Sequence, residues 1–520
     1  MKTLLTPIAT TVLLAFNFLF PISLFAQPGS LDTAFGTNGI VITSVGSNAD
    51  KIHSLVIQPD GKIIAVGTNI VTGVDNDIAL VRYNTDGSLD TDFGTGGKVT
   101  TAIGNGDDQG NAVLLQPDGK IVVCGISDGD TTGSVIYDAA VVRYNVNGSL
   151  DPNFGVGGIV TTHVGAPGFQ GNANAMVFQT DGKIIISGTS NGGLNPNDFF
   201  IIRYTTNGTI DTSYGTNGIV ITNIGTSDDT IYGMAIQNDG EIILGGTTTV
   251  PGDQPNFALA RYDTDGNLES TFGSGGIVST DFGNNYSENG RSVVIQSDGK
   301  IVLAGFIYGT STDYAMARYN TNGSLDTGFG INGIVTTPIG TLQDYGSMAT
   351  LQPDDKILVA GYSSIFLYDF SLVRYNANGS LDPTFGTNGK VATDCDNNSN
   401  DFAYALAFQN DGKIVLGGSS WNDFAIARYN GDDGLGTVSN NILTPTLKVI
   451  NPGTNIFTIQ SSAIINGEML VYNMLGEKIA QSTIRNSNNT TVDLSAVAKG
   501  VYFIKVHDQV NIYTKKIIIQ

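Results

Sequence analysis

The chain has 520 residues, long enough for one large or several ordinary buried cores, and its 67 glycines, with 42 aspartates against 5 glutamates, favour tight turns over helices. A net charge of −22 leaves no basic stripe, which argues against nucleic acid and anionic membrane surfaces as partners. Two cysteines, Cys124 in the apolar run KIVVCG and Cys395 in the polar run TDCDNNSN, allow at most one disulfide and are expected as free thiols.

From the N-terminus, Lys2 and the apolar run IATTVLLAFNFLFPISLFA read as a secretory signal over residues 1–26, with Gln27 as the first mature residue. As a retained anchor the run would barely span a bilayer and would carry Asn17 and Pro21. No later segment is a candidate span. The next stretch, GSLDTAFGTNGIVIT at 29–43, is a fragment of a phrase that recurs in full from Arg82, Arg143, Arg203, Arg261, Arg318 and Arg374, and that breaks off after Arg428.

Each unit of about 57 residues holds four short apolar runs: one ending in Gln (Gln58, Gln116, Gln179, Gln237, Gln296, Gln352, Gln409), one after the Asp-Gly turn, one ending in Arg-Tyr, and a closing run such as GIVTT. Near-continuous apolarity suits strands buried on both faces, as in face-packed blades. A linear solenoid would need distinct caps. Here the last repeat lacks its fourth strand while the N-terminus supplies one, so residues 39–45 are expected to complete the blade begun at 402–430. The predicted fold is all-β, a seven-bladed β-propeller over residues 27–436 whose N-terminal strand closes the last blade.

Seven of nine arginines sit in Arg-Tyr, and in six repeats an acid stands eight residues later: Asp90, Asp151, Asp211, Glu269, Asp326 and Asp382. Arg428 lacks one and Asp32 is left over, so the two are expected to form a structural ion pair. The aromatic three residues after each acid, Phe35 and Phe93 among them, is expected to pack.

The linked motifs RYNxxGSLDxxFGxxGIV and QPDGKI resemble the delta-60 repeat proteins, a bacterial propeller family without a settled activity. The resemblance covers residues 29–430 and implies the propeller but no reaction. After a linker at 437–441, residues 442–520 lose the repeat and alternate as short strands, predicting a small β-sandwich. Asn451-Pro452, VYNMLGEKI, DLSAVAKGVYFIKV and the terminal KKIII resemble the C-terminal sorting domain of the type IX secretion system of Bacteroidota. That implies the type IX machinery as a partner and an extracellular or outer-surface location.

Motifs for chemistry are sparse. GTGGKVT lacks the Ser or Thr of a phosphate loop, and DTDGNLE has mostly Asn-based counterparts, which favours turns over calcium loops. His53, His163 and His507 have no metal-type spacing. Neither cofactor nor metal is expected, no catalytic residue stands out, and a monomer is expected.

Function is sought where the repeats disagree. Five residues before each Gln stand His53, Asn111, Asn174, Tyr232, Arg291, Ser347 and Tyr404, at the start of the innermost strand. Eight before stand Asp50, Asp108, Gly171, Asp229, Glu288, Asp344 and Asp401, expected first as loop caps. The same face gathers Tyr137, Tyr286, Tyr308, Tyr345, Tyr368 and Trp421. The seven variable residues with Trp421 are the candidate ligand contacts, suited to a glycan or protein ligand. A hydrolytic enzyme using two mouth carboxylates is the alternative, and a purely structural repeat protein a third.

Overall fold

The computed structural model describes the chain except residues 1–25, 71–74, 129–136, 166–169, 192–196, 226–227, 250–251, 253, 284, 397–398, 410, 433–446, 451–455, 474–477, 509–511 and 520. Residues 1–25 of the signal segment and the whole linker therefore lie outside the described residues.

Seven four-stranded antiparallel sheets follow one another. In blade 1 the strands run Lys51–Ile57, Ile63–Asn69, Asp77–Tyr83 and Lys98–Thr101, from innermost to outermost. Blades 2 to 6 repeat the order over 108–162, 171–222, 229–280, 287–337 and 344–393. The second strand is buried at every position in blade 1, because each sheet is sandwiched between two others and both faces must be apolar.

Blade 7 is built from two distant parts. Asp401–Phe408, Ile414–Ser420 and Asp423–Tyr429 supply three strands, and Ile40–Thr43 pairs antiparallel with the third, Ile40 opposite Ala427 and Thr43 opposite Phe424. Ile52 and Leu55 of blade 1 share a core cluster with Ala405, Val415, Phe424 and Ile426 of blade 7. The seven-bladed ring is closed by its first strand, which covers the outer edge of the last blade's third strand.

The recurring phrase is the contact between blades. In blade 1, Arg82 Nε donates to Asp90 Oδ2 at 2.7 Å, and Lys62 Nζ of the Asp-Gly-Lys turn reaches the same oxygen at 2.7 Å. The Phe93 ring centroid lies 4.5 Å from the guanidinium, whose Nη1 donates to the Val146 carbonyl of blade 2 at 2.6 Å. Arg143 with Asp151, Arg203 with Asp211, Arg318 with Asp326 and Arg374 with Asp382 repeat the pair. The phenol that follows the Arg ties back: Tyr144, Tyr204, Tyr262, Tyr319 and Tyr429 donate to the Thr ending the preceding blade's outer strand, at 2.7 to 2.9 Å.

Blade 4 departs from the expected pairing. Arg261 pairs with Glu241 at 3.1 Å, and Glu269 turns to accept from Thr271 at 2.8 Å. Glu241 occupies the turn position held by Lys62 in blade 1, so an acid there takes over the counter-charge and the longer Glu269 is released to solvent.

The C-terminal region forms one five-stranded antiparallel sheet, not two separate sheets. Its long hairpin, Ile456–Asn473 with Lys478–Asp493, breaks register between Gln460 and Ile465. Phe457 and Val492 from one end of the hairpin share a core with Met469, Val471 and Ile484 from the other. The expected two-layer core is thus made by a single sheet. Among the described residues no helix is long and apolar enough to cross a membrane.

Candidate ligand-binding site at the channel mouth

The innermost strands share one irregularity. Pairing with the second strand skips one residue in every blade, between Ile52 and Ser54, Gly110 and Ala112, Ala173 and Ala175, Ile231 and Gly233, Gly290 and Ser292, Gly346 and Met348, and Ala403 and Ala405. The skipped residues are His53, Asn111, Asn174, Tyr232, Arg291, Ser347 and Tyr404. A β-bulge re-aims its extra residue away from the ladder. All seven line a single cavity of about 930 Å³. Behind them an apolar band that includes Leu55, Met176, Met234 and Ile295 leads to Ser297 and Asp355 at the far end. Trp421 is not in this lining; it is 69% exposed, with φ of 57°, in the turn after the second strand of blade 7.

The ring has two unlike halves. In blades 1 to 3 each side chain reaches the next blade's backbone just before its bulge: His53 Nδ1 lies 3.2 Å from the Gly110 carbonyl, Asn111 Nδ2 donates to Ala173 at 2.9 Å, and Asn174 Nδ2 donates to Ile231 at 2.8 Å. Burial, aided by the Lys51 charge, pushes the His53 imidazole down to about 4 against two hydrogen bonds that raise it, so the ring is neutral at pH 7.

In blades 4 to 7 the wall is aromatic. The Arg291 guanidinium lies 3.9 Å from the Tyr232 ring centroid and 5.2 Å from that of Phe306. Tyr345 stacks on Tyr362 at 5.0 Å, Tyr362 meets Phe402 edge-on at 5.0 Å, and Tyr404 lies 6.0 Å from Tyr362. Tyr308 and Tyr368 join the group through Tyr345, at 6.0 and 6.1 Å. Burial pushes the Tyr404 hydroxyl up to about 12, with the Arg291 charge pulling the other way.

Phe306, Tyr362 and Phe402 were not among the expected contacts. Their signal lay in the repeats: the residue two before each bulge is Lys51, Gln109, Asn172, Thr230, Asn289, Tyr345 and Phe402, and its neighbour on the second strand is aromatic in blades 5 and 6 alone. Of the other expected aromatics, Tyr286 packs against the blade 5 core and Tyr137 opens the third strand of blade 2.

Six of the residues eight before each Gln are buried acids, and five of them, Asp50, Asp108, Asp229, Asp344 and Asp401, cap the loop entering the strand. Asp50 Oδ2 accepts the amides of Val45 and Gly46 at 2.8 and 2.6 Å, and Asp108, Asp229 and Asp344 receive Ile103, Ile224 and Ile339 at 2.6 to 2.7 Å. Asp355, the carboxylate in the cavity lining, already accepts the Ser297 amide at 2.9 Å. At the junction of blades 6 and 7 the carboxylates of Asp369, Asp394 and Asp401 come within 4.8 Å of one another. Burial, then the charges of Asp394 and Asp401, push the Asp369 carboxyl up to about 6.

Of the remaining sites, Arg428 Nε donates to Asp32 Oδ2 at 2.9 Å, and both cysteine thiols are free. His163 Nδ1 lies 2.8 Å from Asp138 Oδ1, and the His507 side chain lies outside the described residues. Asp263 Oδ1 accepts the amides of Asp265 and Asn267 within its own turn.

A family model described as a domain of unknown function (DUF5122) beta-propeller matches seven segments, 58–93, 116–154, 179–214, 237–272, 296–329, 352–385 and 409–434. A secretion system C-terminal sorting domain matches 451–520. Comparison with curated proteins found no match. Among solved structures, the chain is similar to an extracellular domain assigned to a hybrid two component system of B. thetaiotaomicron, at 11% identity and TM-score 0.40, covering 93% of this chain and 58% of that one. A protein of unknown function from Dyadobacter fermentans is 13% identical with TM-score 0.42, over 75% of this chain and 98% of its own. An ulvan lyase of polysaccharide lyase family PL25 is 12% identical with TM-score 0.37, over 76% and 97%.

Proposed function

We propose that this chain, which belongs to the DUF5122 β-propeller family and carries a type IX sorting domain that directs it to the extracellular space or cell surface, is a binding module whose ligand enters the channel mouth. Residues 1–26 act as its signal peptide, and the propeller and the sorting domain act separately, one in binding and one in export. The observation that carries this reading is the ring of bulges. Seven structurally equivalent residues face one cavity, and they differ from blade to blade, whereas the residues that join the blades barely vary. Unlike polar and aromatic groups converging on one cavity suit an asymmetric ligand.

The capping role of the acids weakens the hydrolytic alternative, since that chemistry needs two carboxylates about 5–10 Å apart around a substrate. A purely structural role leaves the half-exposed aromatic wall without a purpose. The test is an array of glycans and peptides probed with the full-length secreted protein and with Tyr404→Ala. Binders should be found for the first and lost for the second. Binding unaffected by the substitution would put the site elsewhere.

A further inference from the structure

Arg291 stands apart from the other arginines. Seven are held in the contacts between blades, and the side chain of Arg485 lies outside the described residues. Among the described residues Arg291 has no carboxylate partner, although the chain carries 47 acids. It lies over the Tyr232 ring and near that of Phe306, contacts that use none of its N–H donors, and among the described residues those donors have no protein acceptor. The carboxylate of the cavity lining, Asp355, is at the far end and engaged with Ser297. Five donors of a half-buried guanidinium held without a counter-ion are suited to an oxyanion from outside.

The surroundings indicate what carries that anion. Tyr232, Tyr362 and Tyr404 of the cavity lining offer ring faces and hydroxyls together, matching molecules with both apolar faces and hydroxyl edges. An extended peptide would add to a strand edge. At this level the ladder is broken by the bulges, and in blades 1 to 3 the carbonyls of Gly110, Ala173 and Ile231 already accept from His53, Asn111 and Asn174.

Resting on the channel mouth being the binding site, we propose that its open half takes an acidic saccharide, with the carboxylate or sulfate on Arg291 and the sugar faces on the tyrosine wall. The test is calorimetric titration of the full-length protein with oligogalacturonate, its methyl-esterified form, a sulfated oligosaccharide, its desulfated form and an acidic peptide. At least one charged saccharide should bind about tenfold or more tighter than its neutral counterpart, and which pair does so separates carboxylate from sulfate. Arg291→Gln should erase the preference, Arg291→Lys should restore part of it, and Val156→Ala, at an exposed position outside the cavity lining, should leave it intact, all with melting temperatures near that of the parent.

Equal affinity for charged and neutral forms, a preference that survives Arg291→Gln, or binding of the peptide alone would overturn the proposal. If a neutral saccharide or the peptide binds and is lost with Tyr404→Ala, the channel remains the site and only its acidic ligand is refuted. Binding indifferent to both Arg291→Gln and Tyr404→Ala, or no binding by any probe, would refute both.

Discussion

Arg428 donates through Nε to Asp32 Oδ2 at 2.9 Å across 396 positions of sequence, and the same guanidinium reaches the Thr85 carbonyl of blade 1. One side chain therefore joins the segment before the first strand to the last blade and the last blade to the first. Both partners are buried, so removing the acid leaves a desolvated cation, a loss of about 3–5 kcal/mol. Asp32→Ala should lower stability by that order in chemical denaturation, and a variant lacking residues 27–43 should lose more, because the outer edge of blade 7 is then bare. A melting curve matching that of the parent would refute the closure.

Blade 4 offers an internal control. Glu241→Ala strips the counter-charge from the buried Arg261 and should cost about 2–3 kcal/mol, discounted for the partial exposure of Glu241. Glu269→Ala should leave stability nearly unchanged, although Glu269 occupies the position at which Asp→Ala is expected to be damaging in the other blades. The reverse order of effects would restore the uniform spacing read from the repeats.

That pair marks where the sequence could be read and where it could not. The ring and its closure were legible because an Arg and an acid eight residues apart encode a contact that each blade must make, and the break after Arg428 left a partner to find. Reading the same spacing onto Glu269 failed because a compensating change at Glu241 lies in another motif. The turn lysines were read as turn chemistry alone, yet Lys62 shares the Asp90 oxygen with Arg82. The bulges had no signature, since the residue before them is Ile52, Gly110 or Ala173 with no fixed glycine. Trp421 was grouped with the mouth by its loop, but its side chain stands outside the cavity.

Stability should respond to pH through two oppositely shifted carboxylates. Asp369, at about 6 folded against ~3.9 unfolded, keeps a proton that the unfolded chain has lost, so its contribution falls as pH rises from about 4 to 6. Burial raises Asp382, but Thr384 and then Arg374 more than reverse this and hold it at about 2, so its contribution is present above about 4 and is lost toward pH 2. Asp369→Asn should therefore raise the melting temperature at pH 7 and leave it nearly unchanged at pH 4. An equal gain at both pH values would show that ionisation of the half-buried Asp369 is not the cause.

Ending the chain after Asp432 removes the sorting domain and keeps every described strand of the propeller. The shortened protein should fold, showing the parent's propeller melting transition, yet accumulate in the periplasm of its native host. Normal appearance at the cell surface, followed by surface proteolysis or immunolabelling, would contradict export through residues 451–520.

The division of the mouth into a tied half and an open half is tested most directly by measuring affinity and melting temperature together, for any binder from the array, in two triple variants. His53→Ala/Asn111→Ala/Asn174→Ala should lose about 1 kcal/mol of stability per inter-blade hydrogen bond and keep most of its affinity. Tyr232→Ala/Arg291→Ala/Tyr404→Ala should keep a single cooperative melting transition well above the assay temperature and lose binding at least about a hundredfold. Affinity retained by the second variant, or lost only in step with its unfolding, would contradict the assignment of the channel mouth as the site.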